Sequence, residues 1–326
     1  MEQRTLGRTG RRASVIGLGT WQLGADWGDV SEDDARAVLQ ASVDAGVTFF
    51  DTADVYGDGR SEQVIGRFLA DNPSITVATK MGRRAEQLPE NYTLDNFRAW
   101  TERSRRNLGV DTLDLVQLHC PPSATIDADA TYDDLDTLVA EGAIAAYGVS
   151  VETVDQALSA IARPHVASIQ IILNAFRLKP LDAVLPAAAE AGVAIIARVP
   201  LASGLLSGRY AADTTFAPDD HRTYNRHGEA FDVGETFSGV DYEAGVSAAQ
   251  EFTALVQDLD MTPAQAALAW VVQQPGVTTV IPGARNAEQA RANAAAGLVE
   301  PLPERVLTGV TEIYDRYFRE AVHSRW

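Results

Sequence analysis

Eight short apolar runs, each followed by a segment of helical periodicity, recur along this chain without an intervening linker, and this rhythm limits its fold more than any other feature. The runs lie at 15–21, 48–53, 75–80, 113–119, 143–150, 166–173, 193–199 and 277–281. They are near-continuous stretches of apolar and β-branched residues, as parallel strands covered by helices on their outer face should be. The helical segments between them carry ordinary punctuation. Ser31 caps the first, with Asp34 three residues on, and Gly46, Gly109, Gly142 and Gly192 stand at helix stops. Eight consecutive βα units predict an α/β fold, a (β/α)8 TIM barrel, with residues 1–326 as one domain. A short hairpin over residues 1–14 precedes the first strand, and extra C-terminal helices at 244–259, 263–274 and 304–321 depart from the simple repeat. The other departure is the stretch 201–239, far longer than a normal loop. It reads as a lid over the site or as an oligomer contact.

In such a barrel the C-terminal strand ends form the active site, so the rim can be read off the strand ends. The second run terminates in Asp51 and leads through Thr52-Ala53-Asp54-Val55 to Tyr56, before a Gly57-Asp58-Gly59 turn. The third delivers Lys80. An ammonium beside a phenol favours phenolate and lowers the tyrosine pKa toward working pH, which would equip Tyr56 as a general acid. The chain uses arginine almost throughout, and its only lysines are Lys80 and Lys179. A lysine kept at a strand end therefore points to a compact ammonium that arginine cannot replace. The alternative is a surviving exposed lysine. His119 closes the fourth run, whereas His165 opens a strand and His221, His227 and His323 lie in loop or tail sequence. Alone it would read as a satisfied structural histidine. Beside Asp51, Tyr56 and Lys80 it reads as a donor to a carbonyl oxygen or a proton relay.

Composition excludes several classes. A formal net charge of −18 opposes nucleic acid or an anionic membrane as partner. The arginines of the N-terminus precede no apolar segment, and no run is long enough to span a bilayer, so a soluble cytoplasmic protein is expected. The single cysteine, Cys120, forms no internal disulfide and fits a reducing compartment.

Asp51, Tyr56, Lys80 and His119, in this order at strand ends, resemble the catalytic tetrad of the aldo-keto reductases. DTADVYGDGRSE, VATKMG, LVQLHCPP, GVS, PLASGLLSGRY and IPGARNAEQARAN are similar to the signature segments of that family, and the resemblance covers essentially the whole chain. It implies an NADP(H)-dependent reduction of an aldehyde or ketone. Tyr56 would protonate the carbonyl oxygen, Lys80 held by Asp51 would tune Tyr56, and His119 would orient the carbonyl. No metal is implied.

The resemblance also implies an extended cofactor across the barrel mouth. Arg285, after Gly283-Ala284 and at a helix start suited to a phosphate, would hold the 2′-phosphate, with Gln289 and Asn293 near the adenine. The alternative for Arg285 is a solvated surface charge. Leu201, Ser203, Leu206, Ser207 and Arg209 would wrap the pyrophosphate, and Ser150 and Gln170 would bind the carboxamide. Gly19, Thr20, Trp21, Asp51, Arg198, Pro200, Gly204, Ile281 and Gly283 are further implied cofactor contacts. No G-x-G-x-x-G follows the first strand, so a Rossmann site is not indicated. Two positions depart from the family: Val151 stands where asparagine is common, and Arg198 where an aromatic often stacks on the nicotinamide. An arginine plane can also stack on a ring.

Trp21, Trp27, Tyr56 and His119 are the expected substrate contacts, with Tyr92, Phe216, Tyr224, Phe231 and Phe237 as further aromatic candidates. Trp100 and Trp270, inside helices, are expected in the core. Two other readings stay open: a cofactor-binding regulatory or sensor subunit with little turnover, and a metal-dependent barrel hydrolase, for which His119 is the lone strand-end histidine. The physiological substrate and the oligomeric state are not legible.

Overall fold

Each apolar run becomes a strand of one parallel sheet. The computed structural model describes residues 1–24 and 30–326. An antiparallel pair, β1 (Gln3–Thr5) and β2 (Arg12–Ser14), comes first. Eight strands follow: β3 (Leu18–Gly19), β4 (Phe49–Asp51), β5 (Thr76–Met81), β6 (Leu115–His119), β7 (Tyr147–Ser150), β8 (Val166–Ile172), β9 (Ala194–Arg198) and β10 (Val277–Val280). They pair in sequence order, all parallel, from β3 to β10. The two ends of the sheet meet through parallel bridges from Ile16 to Val280 and from Gly19 to Gly283. The Gly17 N–H donates to the Val280 carbonyl at 2.8 Å, so the barrel is all but closed.

Several elements are shorter than the sequence predicts, for identifiable reasons. The first run yields only Leu18–Gly19 because Trp21–Gly24 turns at once into a 3-10 helix. Before β6 and β7, pairing consists of one isolated bridge, Leu113 to Ile144. The helix expected from 151 starts at Val154, where Thr153 and Gln156 form a reciprocal capping box. The last helix breaks at Phe318 into Glu304–Tyr317 and Arg319–Val322. The segment 201–239 is not structureless but a series of helical turns: Ala202–Ser207, His221–Tyr224, Val233–Glu235 and Phe237–Gly239.

Two apolar layers result. One lies between the strands and the surrounding helices and takes in Trp100 and Trp270, as expected. The other fills the barrel interior with the large ring of Phe49 and the small and medium side chains of Ala78, Leu115, Ala167, Ala194 and Ile196, together with Leu6 from the hairpin. Leu6 is wholly buried, and the neighbouring Gly7 (φ 53°) lies so close to the Ala167 and Ala194 backbone that a Cβ would collide. The hairpin therefore stoppers the N-terminal end of the barrel, and Asp51, Lys80, Gln117, His119 and Gln170 gather toward the other end. Among the described residues, no helix is long and apolar enough to cross a membrane.

Candidate functional site

Parallel register brings the strand ends together. Asp51 is the last residue of β4, Lys80 lies near the end of β5, and His119 ends β6 opposite Ser150. The Lys80 ammonium forms an ion pair with Asp51 Oδ1, both side chains being almost wholly buried, and donates to the Thr52 carbonyl at 2.9 Å. The second carboxylate oxygen, Asp51 Oδ2, accepts from Gln170 Nε2 at 2.7 Å and from Gln117 Nε2 at 3.0 Å. Gln117 was not singled out from the sequence, although strand alternation puts it two residues before His119 and on the same face. Asp51 is thus fixed by three donors, and it fixes Lys80 in turn.

Tyr56 comes from a tight turn, not a strand. Residues Gly57 and Asp58 have φ of 57° and 52°, and a Cβ at Gly57 would strike the backbone of Gly24. This turn directs the Tyr56 hydroxyl to 3.5 Å from Lys80 Nζ. The Tyr56 ring stacks on Trp21 at 6.0 Å and meets His119 edge-on at 6.0 Å.

Electrostatics correct one expectation. Burial pushes the Tyr56 phenol above its ordinary pKa; Lys80 pulls it down, but Asp51 and Glu235 add to the upward shift. The sequence had suggested the opposite direction by weighing the ammonium without the desolvation. Burial also works against the Lys80 ammonium, yet Asp51 overrides it and the Lys80 pKa is raised. His119 lies well below the usual histidine range, through burial and then the nearby cations Arg83, Lys80 and Arg198. It is therefore a neutral imidazole, with a buried Nδ1 lacking a hydrogen-bond partner among the described residues.

Behind Tyr56, Asp54 is fully buried, and among the described residues neither carboxylate oxygen has a hydrogen-bond partner. Burial, reinforced by Glu62, pushes its pKa from 3.8 to about 7. A folded-state pKa above the unfolded one gives stability that is fully present at acid pH and lost as pH rises through the folded value. Asp54→Asn, which cannot ionise, should thus stabilise the protein by roughly 1–3 kcal/mol near pH 8. The gain should vanish near pH 4. Melting temperatures across that range check this, and a pH-independent difference would refute it.

Above the tetrad a small inner cavity of about 60 Å³ opens between Tyr56, His119, Ser150 and Gln170 on one side and Trp21, Arg83, Arg198, Phe231 and Glu235 on the other. A larger cavity of about 540 Å³ lies outside it, lined by Val55, Gln87, Cys120, Glu152 and Asp232 and sharing Arg83 and Phe231 with the inner one. Arg198 is engaged by the protein: its guanidinium pairs with Glu235 and donates to the Val151 carbonyl at 3.0 Å. Cys120, Glu152 and Glu235 converge to within 4.8 Å, but Arg83 and Arg198 already stand beside them as cations. Arg83, Glu235 and His221 were missed as site residues. His221 reads in sequence as a loop histidine, yet it is buried with its ring 5.3 Å from that of Trp21. Loop sequence carries no signal for which way such a residue turns.

Of the expected aromatics, Phe231 reaches the cavity, whereas Tyr92 packs with Phe97 and Trp100, and Phe216 and Phe237 pack with Tyr242. Tyr224 is partly exposed. Trp27 lies outside the described residues.

Apart from Ser150, Gln170 and Asp51 on β7, β8 and β4, the expected cofactor residues lie along one arc from β9 round to β3. Pro200 and Leu201 lead into the turn Ala202–Ser207, where the Ser203 hydroxyl donates to the Glu235 carbonyl at 3.0 Å and the Ser207 hydroxyl to the Gly204 carbonyl at 2.6 Å. Leu206 is fully buried and its side chain belongs to the core, while Arg209 is exposed. Positive φ at Val199, Ala202 and Ser203 concentrates backbone strain just beyond Arg198. Thr20 is buried and donates to the Asp51 carbonyl at 2.8 Å, and Gly19 and Ile281 lie where the first and last strands meet. Gly283 follows Ile281, and its carbonyl accepts from Asn293 at 3.0 Å. Asn286 caps the helix Ala287–Ala295 on the Gln289 N–H, while the Gln289 side chain accepts from the Arg285 N–H at 2.9 Å. The Arg285 side chain is 44% exposed at this helix start, 3.9 Å from Asp220.

The profile of the aldo/keto reductase family matches residues 15–315. An uncharacterized oxidoreductase of Mycobacterium bovis is 33% identical over 298 residues, covering 89% of this chain and 86% of its own. Among solved structures, the glycerol dehydrogenase of Gluconobacter oxydans superposes with a TM-score of 0.79 at 29% identity, covering 97% of this chain and 96% of its own. An aldo-keto reductase of Klebsiella pneumoniae in complex with NADPH superposes with a TM-score of 0.71 at 26% identity, with 96% of both chains covered.

Proposed function

The chain belongs to the aldo/keto reductase family, and we propose that it is an NADP(H)-dependent carbonyl reductase in which Tyr56 is the general acid. The observation that carries this reading is the Tyr56 hydroxyl 3.5 Å from an ammonium that Asp51 pins in place, beside a neutral histidine in one small cavity.

A nicotinamide cofactor held at the barrel mouth would supply the hydride for the carbonyl carbon. Tyr56 gives its phenolic proton to the carbonyl oxygen as negative charge develops there. Its raised pKa keeps that proton in place at neutral pH. Lys80 stabilises the phenolate left behind, and Asp51 holds Lys80 on the correct side of the ring. His119, neutral, directs an N–H at the same oxygen and fixes the carbonyl for attack. Trp21 and Phe231 wall the cavity and keep water from the reacting atoms. Use of NADP(H) is supported by the NADPH complex of the Klebsiella relative and by Arg285, an exposed guanidinium at a capped helix start with Gln289 and Asn293 on the following turns.

Oxidation of NADPH by a panel of aldehydes and ketones, followed by the nicotinamide absorbance, tests the reading. Turnover supports it, binding without turnover by any carbonyl favours the sensor subunit, and absence of NADPH binding removes both. Arg285→Ala should weaken NADPH binding by roughly tenfold or more, the loss of one charge-assisted contact, and NADH binding far less. Fluorescence titration with the two cofactors measures the difference, and equal losses would show that Arg285 does not meet the 2′-phosphate.

A further inference from the structure

Two arginines face the inner cavity, and the protein uses them differently. Arg198 is occupied by Glu235 and by the Val151 carbonyl. Arg83 makes no side-chain hydrogen bond to any described residue: its Nε is buried without a partner, and its nearest carboxylate, Glu152, is 3.7 Å away. The 3.7 Å pair with Glu152 carries no hydrogen bond, so the donors of this guanidinium stay available to an anion that enters the cavity. Arg83 and Arg198 face Glu235 across the inner cavity, Glu152 pairs with Arg83 from the outer wall, and Lys80 and Asp51 cancel beneath them. Because Arg83 lines both cavities, it stands at the neck between them, beside the tetrad and not within it.

Resting on the reductase reading above, we infer that the substrate is a short oxo acid, whose carboxylate Arg83 binds while its carbonyl oxygen lies between Tyr56 and His119. The planar fork of the guanidinium matches a carboxylate with two parallel N–H···O bonds. Glu152 and Asp232 in the outer wall set an upper limit on the chain. A carboxylate carried past the neck meets like charge, so the anion must lie within a few bonds of the carbonyl. A neutral carbonyl compound of the same length leaves Arg83 with only its 3.7 Å pair to Glu152 and forfeits that interaction.

The test compares 4-oxopentanoate with its neutral methyl ester, by calorimetric titration of the intact protein and, separately, by NADPH oxidation. The carboxylate should bind on the order of tenfold to a hundredfold more tightly, as expected for a hydrogen bond to a charged group. That preference should collapse toward parity in Arg83→Gln and persist in part in Arg83→Lys. Circular dichroism establishes that each variant is folded, and the wild-type comparison stands without either. Equal binding of acid and ester, no binding of the acid, or a preference untouched by Arg83→Gln would each overturn the inference. Reduction of neutral carbonyls without any acid preference would refute the oxo-acid assignment and leave the reductase reading standing. Acid-selective binding without NADPH oxidation would uphold the Arg83 anion site and count against the reductase reading.

Discussion

Tyr56→Phe is expected to lower kcat by about 10²–10⁴-fold, the usual contribution of a positioned general acid, while the protein stays folded and still binds NADPH. The substitution removes a single oxygen whose hydrogen-bond partner among the described residues is Lys80 at 3.5 Å. Lys80 keeps its ion pair with Asp51 and its bond to the Thr52 carbonyl, so no buried charge is stranded. The ring contacts to Trp21 and His119 are made by carbon atoms that phenylalanine retains. Steady-state kinetics with NADPH and any carbonyl the wild type reduces, together with fluorescence titration of the cofactor, separate the two effects. Turnover near the wild-type rate would mean that the proton comes from another group.

Lys80→Met should be inactive for a different reason and should also be unstable. It leaves Asp51 buried, facing Gln117 and Gln170 but with no cation. Breaking a buried pair from one side typically costs about 3–5 kcal/mol. The double variant Lys80→Met with Asp51→Asn removes the stranded charge and should recover a large part of the loss without recovering activity. Denaturant unfolding of wild type, both single variants and the double variant forms a cycle that isolates the pair. A double variant no more stable than Lys80→Met would show that the cost lies in packing around the methionine. Arginine should not substitute for Lys80, because its planar fork cannot occupy the narrow space between Asp51, the Thr52 carbonyl and the Tyr56 ring.

Much of this site is legible in sequence because parallel strands turn position along the chain into position around a ring. Asp51, Lys80 and His119 each end or nearly end an apolar or β-branched run, and pairing of neighbours brings them to one rim. Tyr56 is legible through the glycine turn after it, which needs positive φ. What stays hidden is set by relations between distant segments. Arg83 follows a strand by only two residues, but nothing local distinguishes it from Arg84, which pairs with Asp58 at 2.8 Å. Glu235 and His221 depend on how the long segment 201–239 folds back across the mouth. The direction of the Tyr56 shift depends on depth of burial, which residue types alone do not encode. Leu206 illustrates the converse: a residue in a motif can present its side chain to the core while its neighbours serve the rim.

The way the barrel closes has a consequence for how the chain reaches this state. The first strand is joined on one side to β4, its near neighbour in the chain, and on the other to residues 280–283, close to the far end. During synthesis from the N-terminus, that second edge has no partner until almost the whole polypeptide has emerged. The hairpin stopper waits as well, since Gly7 rests on Ala167 and Ala194. Partly synthesised chains therefore carry an unpaired parallel edge and an unfilled interior, the kind of surface that associates with other chains. Such long-range pairing also slows the final step, since the loop-closure entropy is incurred before the last contacts form. Recovery from full denaturation should depend more steeply on protein concentration than the stability of the finished barrel would suggest.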